Sequence, residues 1–257
     1  MKKLFAFISI ASLVASLVAC DGEEYSKNPM TEQPSADVPS VGAPTVDFIS
    51  IDSVFAHVPA TDTVVFLIRH AQRGDDYTPM GLLTSYGKAQ AKRVGEKINN
   101  GEAAFYAHSD YARTQQTCES IAIGRGDDPF VHEEWAILTG DWYRRSTYPV
   151  SWEMVSKWAY LGGYENWFYN LDERSEEWLD SLKAHLPSMK RVNVLVSHDL
   201  MVLAMAVYAT SGQIDLRYWE NGRWINYLAG VAIIYDPNGN MTLKLVRGLD
   251  SGVMVKG

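Results

Sequence analysis

Apolar positions along the chain fall into two kinds of run. Thr63–Ile68 and Val192–Ser197 are almost unbroken apolar, β-branched stretches, the pattern of strands buried on both faces. Ala103–His108 is a shorter run of the same kind. Helical spacing occupies Thr84–Asn99, Asp110–Ile121, Ser175–His185 and Leu200–Thr210. The punctuation agrees: Thr84 suits an N-cap, Asn99-Asn100-Gly101 a stop, Ser109 or Asp110 a second cap, and Pro187 a terminator. Near the end, Gly230–Tyr235 and Met241–Val246 flank Asp236-Pro237-Asn238-Gly239-Asn240, which predicts a hairpin. Val46–Val54 alternates loosely and predicts an added strand. Strands alternating with helices predict a three-layer α/β/α sandwich with a mostly parallel central sheet.

One region breaks the rhythm. Between Trp135 and Trp178 the chain carries Trp142, Tyr143, Trp152, Trp158, Tyr160, Tyr164, Trp167, Phe168 and Tyr169. This predicts a mainly helical insertion whose rings are mostly core, with a few at the mouth of a site.

The first residues follow another logic. Met1-Lys2-Lys3 is basic, and Leu4–Leu17 is apolar but short for a bilayer span. Leu17-Val18-Ala19-Cys20 follows and resembles a bacterial lipobox. Residues 1–19 are therefore expected to be a cleaved leader, with Cys20 acylated and the protein anchored by lipid in the bacterial cell envelope. Residues 20–44 are rich in Ser, Pro, Asp and Glu and lack apolar periodicity, as a flexible tether does. Its acidic start, Asp21-Gly22-Glu23-Glu24, resembles a surface-export signal or is simply a solvated linker. The folded domain is expected at 45–257.

Composition narrows the function. A chain of 257 residues supports one full core. Net charge is -8, and loss of Lys2 and Lys3 makes it more negative. Without Lys/Arg runs this is a poor nucleic-acid binder, and any anion site must concentrate cations locally. With Cys20 used as an anchor, Cys118 has no disulfide partner and suits a buried helical position. His57, His108, His132 and His185 show no metal-ligand spacing, and no glycine-rich nucleotide loop is present, so no cofactor is expected.

Two strands end in histidine-bearing turns, at Arg69-His70 and Ser197-His198. A third leads to Ser109-Asp110 and then Arg113, one turn into a helix. Strand ends that meet helix starts are where α/β proteins hold anions. Phosphoryl transfer needs such clustered donors and a nucleophile.

Four blocks, in order, resemble the histidine phosphatase superfamily, which includes phosphoglycerate mutases and acid phosphatases. They are Arg69-His70-Ala71, Leu83-Thr84-Ser85-Tyr86-Gly87-Lys88-Ala89-Gln90-Ala91, Ser109-Asp110-Tyr111-Ala112-Arg113-Thr114-Gln115-Gln116-Thr117, and Ser197-His198. The resemblance spans residues 62–210. It implies a phosphoglycerate mutase-like fold and hydrolysis of small phosphate monoesters through a phosphohistidine on His70. Arg69, Arg113 and His198 would cradle the phosphoryl oxygens. A mutase-like phosphotransferase, or a surface binding protein that keeps the fold without turnover, are the alternatives.

Two departures matter. Ala71 stands where the family has glycine. Arg73, three after His70, and Asp199, directly after His198, resemble the acid-phosphatase branch; Arg73 would add a substrate-binding cation. The general acid stays open between Asp199, Glu134 and Glu133, because aligning Gly140-Asp141-Trp142 with the mutase-type Gly-x-Trp element puts Ala136 at its glutamate.

Overall fold

The computed structural model describes residues 46–256; the expected leader, Cys20 and the expected linker lie outside them. In chain order the elements are β1 (Ile49–Ser50), α1 (Ile51–Ala56), β2 (Thr63–Arg69), α2 (Ser85–Lys97), β3 (Phe105–His108), α3 (Ala112–Arg125) and β4 (Glu133–Glu134). There follow α4 (Trp152–Leu161), α5 (Leu171–His185), β5 (Val192–Ser197), α6 (Asp199–Ala209), α7 (Tyr218–Asn221), β6 (Arg223–Ile225), β7 (Gly230–Tyr235), β8 (Met241–Arg247) and β9 (Val253–Val255).

Seven strands form one sheet in the order β1-β8-β7-β2-β5-β3-β4, and only β7 runs against the rest. Alternation along β2 sorts the two faces. Val64, Phe66 and Ile68 pack with the core under α1, α2 and α3, whereas Val65 and Leu67 face the core under α4, α5 and α6. These are the three layers expected of the α/β/α sandwich. The β7–β8 hairpin closes as its turn residues require, with Asp236 N donating to Asn240 O at 3.0 Å. In α2, Thr84 Oγ1 accepts from Gly87 N at 2.9 Å, and Gly87 has its own reason to be glycine: a Cβ there would lie 2.1 Å from Gln72 O. Cys118 is buried in α3.

Several elements differ from expectation. The strand predicted over Val46–Val54 is only β1, and the chain turns into α1 because Ile51 and Val54, three apart, both go inside. Helix α3 starts at Ala112, after an extended Tyr111, so neither Ser109 nor Asp110 caps it. Helix α5 starts earlier than predicted, at Leu171, where Asn170 Oδ1 accepts from Glu173 N. The aromatic insertion is less helical than predicted. It holds α4, the start of α5 and a 3-10 turn at Ala136–Leu138, joined by loops with positive φ at Gly162, Gly163 and Tyr164. The small β6–β9 sheet has no counterpart in the predicted elements.

Of the insertion rings, Tyr143, Trp158, Phe168 and Trp178 are buried, and Trp142, Trp152, Tyr160, Tyr164 and Trp167 pack half-buried against the same core. Trp152 reaches toward the strand ends, stacked on Trp224 at 5.7 Å. A cavity of 790 Å³ is lined by Tyr160, Tyr169 and Tyr208 at the C-terminal end of α6. It therefore lies about 15 Å along that helix from Asp199, away from the histidine-bearing turns.

Candidate active site

The adjacent parallel strands β2 and β5 pair Arg69 with Ser197, so His70 and His198 leave the sheet side by side. Their ring centroids are 5.6 Å apart. Strand β3, on the far side of β5, delivers Ser109 and, through α3, Arg113. Every one of Arg69, His70, Ser109, Arg113, His198 and Asp199 is buried. A cluster of charged groups without water is costly unless each is held by donors, acceptors or counter-charge.

That holding is visible. Arg69 Nη1 donates to Ile225 O at 2.8 Å, its Nη2 lies 3.2 Å from Asp199 Oδ2, and its Cζ sits 4.3 Å over the Tyr227 ring. Arg113 Nη1 donates to Thr78 O at 3.0 Å, with Cζ 4.3 Å over Tyr111. Asp199 also accepts from Trp224 Nε1 at 3.0 Å and from Leu200 N at 2.9 Å.

The nucleophile candidate is oriented by its own backbone. His70 Nδ1 donates to Ala71 O at 2.8 Å, which leaves Nε2 as the ring nitrogen with a lone pair. Burial first, then the charges of Arg69 and Arg113 and the neighbouring His198, hold His70 well below the usual imidazole range. His198 is pushed down to about 3 by burial and Arg113, with Asp199 opposing. Both rings are therefore neutral at ordinary pH. Ala71 fits without strain: its side chain is buried and its N–H donates to Thr117 Oγ1 at 3.0 Å.

The remaining expected residues lie outside this buried cluster. Arg73 is on the loop after His70, with Cζ 3.6 Å over the Tyr77 ring and Nη1 donating to Gly74 O at 2.7 Å. Glu133 and Glu134 are exposed on the edge strand β4; Glu133 Oε2 accepts from Trp135 Nε1 at 2.8 Å, and Glu134 is in register with His108. Among the described residues, no group of three or more His, Cys, Asp or Glu is placed to hold a metal ion.

Tyr227 and Trp224 were not singled out by any sequence pattern. The loop bearing Tyr227 docks on the end of β2 through Arg69 N to Ala229 O (2.9 Å) and Leu228 N to Arg69 O (3.1 Å), with Leu228 at a φ of 57°. The Tyr227 ring lies 5.6 Å from that of His70. His108, unmatched by any motif, donates from Nδ1 to Ser109 O at 2.6 Å and contacts His132 Nδ1 through Nε2 at 2.9 Å.

No significant match was found among curated proteins. Similar solved structures include YhfR of Bacillus stearothermophilus, 13% identical over 73% of this chain and 98% of that one, with a TM-score of 0.49. A phosphoglycerate mutase of Bacillus anthracis is 11% identical over 72% and 93%, with a TM-score of 0.49. A mycobacterial glucosyl-3-phosphoglycerate phosphatase is 16% identical over 74% and 100%, with a TM-score of 0.48. The family model for the histidine phosphatase superfamily (branch 1) matches residues 65–246, which take in His70, His198, Arg69 and Arg113 and all of the sheet except β1 and the outer ends of β2 and β8. This chain belongs to the histidine phosphatase superfamily.

Proposed function

We propose that this protein hydrolyses small phosphate monoesters through a phosphohistidine on His70. The observation that carries the proposal is the setting of that ring: its Nδ1 hydrogen is fixed on the Ala71 carbonyl, and it is buried among Arg69, Arg113 and His198, which disfavour its protonation. A neutral imidazole is a nucleophile, and preorganised cations stabilise charge on the transferring phosphoryl group. Nucleophilic attack forms the Nε2–P bond as the P–O bond to the alcohol breaks; water then attacks phosphorus and returns His70.

The leaving oxygen needs a proton. Asp199 is poorly suited, because Arg69, Trp224 and Leu200 N each donate to it or pair with it as a carboxylate. Glu133 is bonded to Trp135. This leaves Glu134 as the proposed acid, and Asp199 as the residue that orients Arg69. Arg73, on a loop beside the site, is proposed to meet the substrate once it swings off Tyr77.

We further propose that residues 1–19 are a cleaved leader, which would favour hydrolysis over mutase chemistry. Acylated at Cys20 and held at the envelope, the domain would meet phosphate monoesters outside the cytoplasm. Replacing Cys20 with Ser and following lipid labelling tests that tether. Activity is tested with para-nitrophenyl phosphate on purified wild-type protein and His70→Ala. The expected result is metal-independent hydrolysis lost in the variant. Equal, negligible rates would favour a binding protein, and transfer between phosphoglycerates without net hydrolysis would favour a mutase.

A further inference from the structure

Hydrogen positions around His198 follow from its neighbours, because carbonyl oxygens can only accept. Thr114 Oγ1 lies 2.7 Å from Tyr111 O and 3.1 Å from Ser109 O, so its one proton goes to a carbonyl. Ser109 Oγ, 2.9 Å from Thr114 Oγ1, must then be the donor between the two hydroxyls. Its proton is thereby used, and it can only accept from His198 Nε2, 2.8 Å away. Nε2 carries the hydrogen. The other ring nitrogen, Nδ1, is buried and has no hydrogen-bond partner.

The groups that face this ring are Arg69 and His70 from the end of β2, Arg113 from α3, Asp199 from α6 and the Tyr111 ring, 4.5 Å away by centroid. Two cations and burial outweigh one carboxylate, so the ring holds a single proton. Nδ1 is therefore a lone pair in the resting site. A phosphate dianion would set its own lone pairs against it. A monoanion brings the missing hydrogen, as P–O–H donating to Nδ1.

We propose that Ser109 and Thr114 are positioning residues that hold His198 as the Nε2–H tautomer, so that the site takes its phosphomonoester as the monoanion, with one proton shared between a phosphoryl oxygen and Nδ1. The inference rests on the phosphatase reading. It concerns binding only: no covalent bond changes except the position of that proton.

The resting protein gives the first test. Nitrogen-15 NMR of the histidine rings, with His198→Gln to assign the signals, should show Nε2 protonated and Nδ1 bare. A protonated Nδ1 overturns the proposal. This readout needs no turnover, whereas failure of the phosphatase reading would appear as equal rates for wild type and His70→Ala with the tautomer intact.

The second test is the pH profile. Above the second phosphate pKa, about 6, kcat/KM should fall tenfold per pH unit. That limb should move with the substrate's own pKa when para-nitrophenyl phosphate is exchanged for an alkyl phosphate. Thr114→Val removes the acceptor for Ser109, so the Ser109 proton turns to Nε2 and His198 becomes the Nδ1–H tautomer. Its alkaline limb should flatten, and Thr114→Ser should restore it. Ser109→Ala should flatten the limb as well. A limb that ignores the substrate, or one unchanged in a folded Thr114→Val protein, overturns the proposal.

Discussion

Arg69 and Asp199 form a 3.2 Å ion pair on the floor of the site, with side chains 0% and 4% exposed. Such a pair holds the guanidinium in place, and breaking it leaves a buried charge uncompensated. The pairing separates two roles a carboxylate could have here, that of proton donor and that of anchor. As an anchor, Asp199 acts on every substrate alike. We therefore expect Asp199→Asn to lower kcat/KM by one similar factor, about 10², on both para-nitrophenyl phosphate and an alkyl phosphate. A loss confined to the alkyl ester would make Asp199 the acid.

Glu134→Gln should behave in the opposite way. Alkoxides need the proton far more than para-nitrophenolate does, so turnover of the alkyl ester should drop by about 10²-fold or more while the aryl ester is nearly unchanged. Parallel kinetics on the two esters decide the assignment.

Arg113 is buried with Nη1 on Thr78 O, and its charge reaches both histidines. Removing one preorganised donor from a phosphoryl site costs about 10²–10³ in kcat. Arg113→Ala should show that loss, and Arg113→Lys should recover only part of it because the planar fork is gone.

Stability should depend on pH through the same histidines. Both imidazoles are depressed in the folded protein, His198 to about 3. As pH falls below about 6.5 the unfolded chain takes up protons that the folded one refuses, so stability is lost at roughly 1.4 kcal/mol per pH unit for each histidine. Their contribution is fully present above that pH. Denaturant titrations at pH 7 and 5 should show the decline, with a shallower slope in His198→Gln.

Gly87→Ala should be destabilising by about 1–3 kcal/mol, because the added carbon would meet Gln72 O, two residues from the nucleophile. Thermal unfolding measures the loss. Activity should fall with it, since the same backbone carries the His70 turn.

Much of this was legible in the chain, for identifiable reasons. The runs at β2 and β5 are apolar on both faces, and Thr84 caps α2 as its sequence predicts. Four residue blocks located His70, Arg69, Arg113 and His198, which the fold brings together. What pattern could not show was contact between distant segments. Trp224 and Tyr227 meet the site through a loop that docks on Arg69, more than 150 residues earlier. Ser109 looked like a helix cap, but its hydroxyl is held by Thr114 and His198. The aromatic run looked like one helical insertion, yet tertiary stacking fills much of it with loops.

In the proposed reaction phosphorus becomes bonded to His70. Rapid acid-free quenching during turnover of a phosphomonoester, followed by mass spectrometry of peptides, tests it most directly. One phosphoryl group, labile to acid and stable to alkali, is expected on the peptide containing His70, and none in His70→Ala. Steady hydrolysis with no phosphoprotein, or a phosphoryl group on another residue, would contradict it.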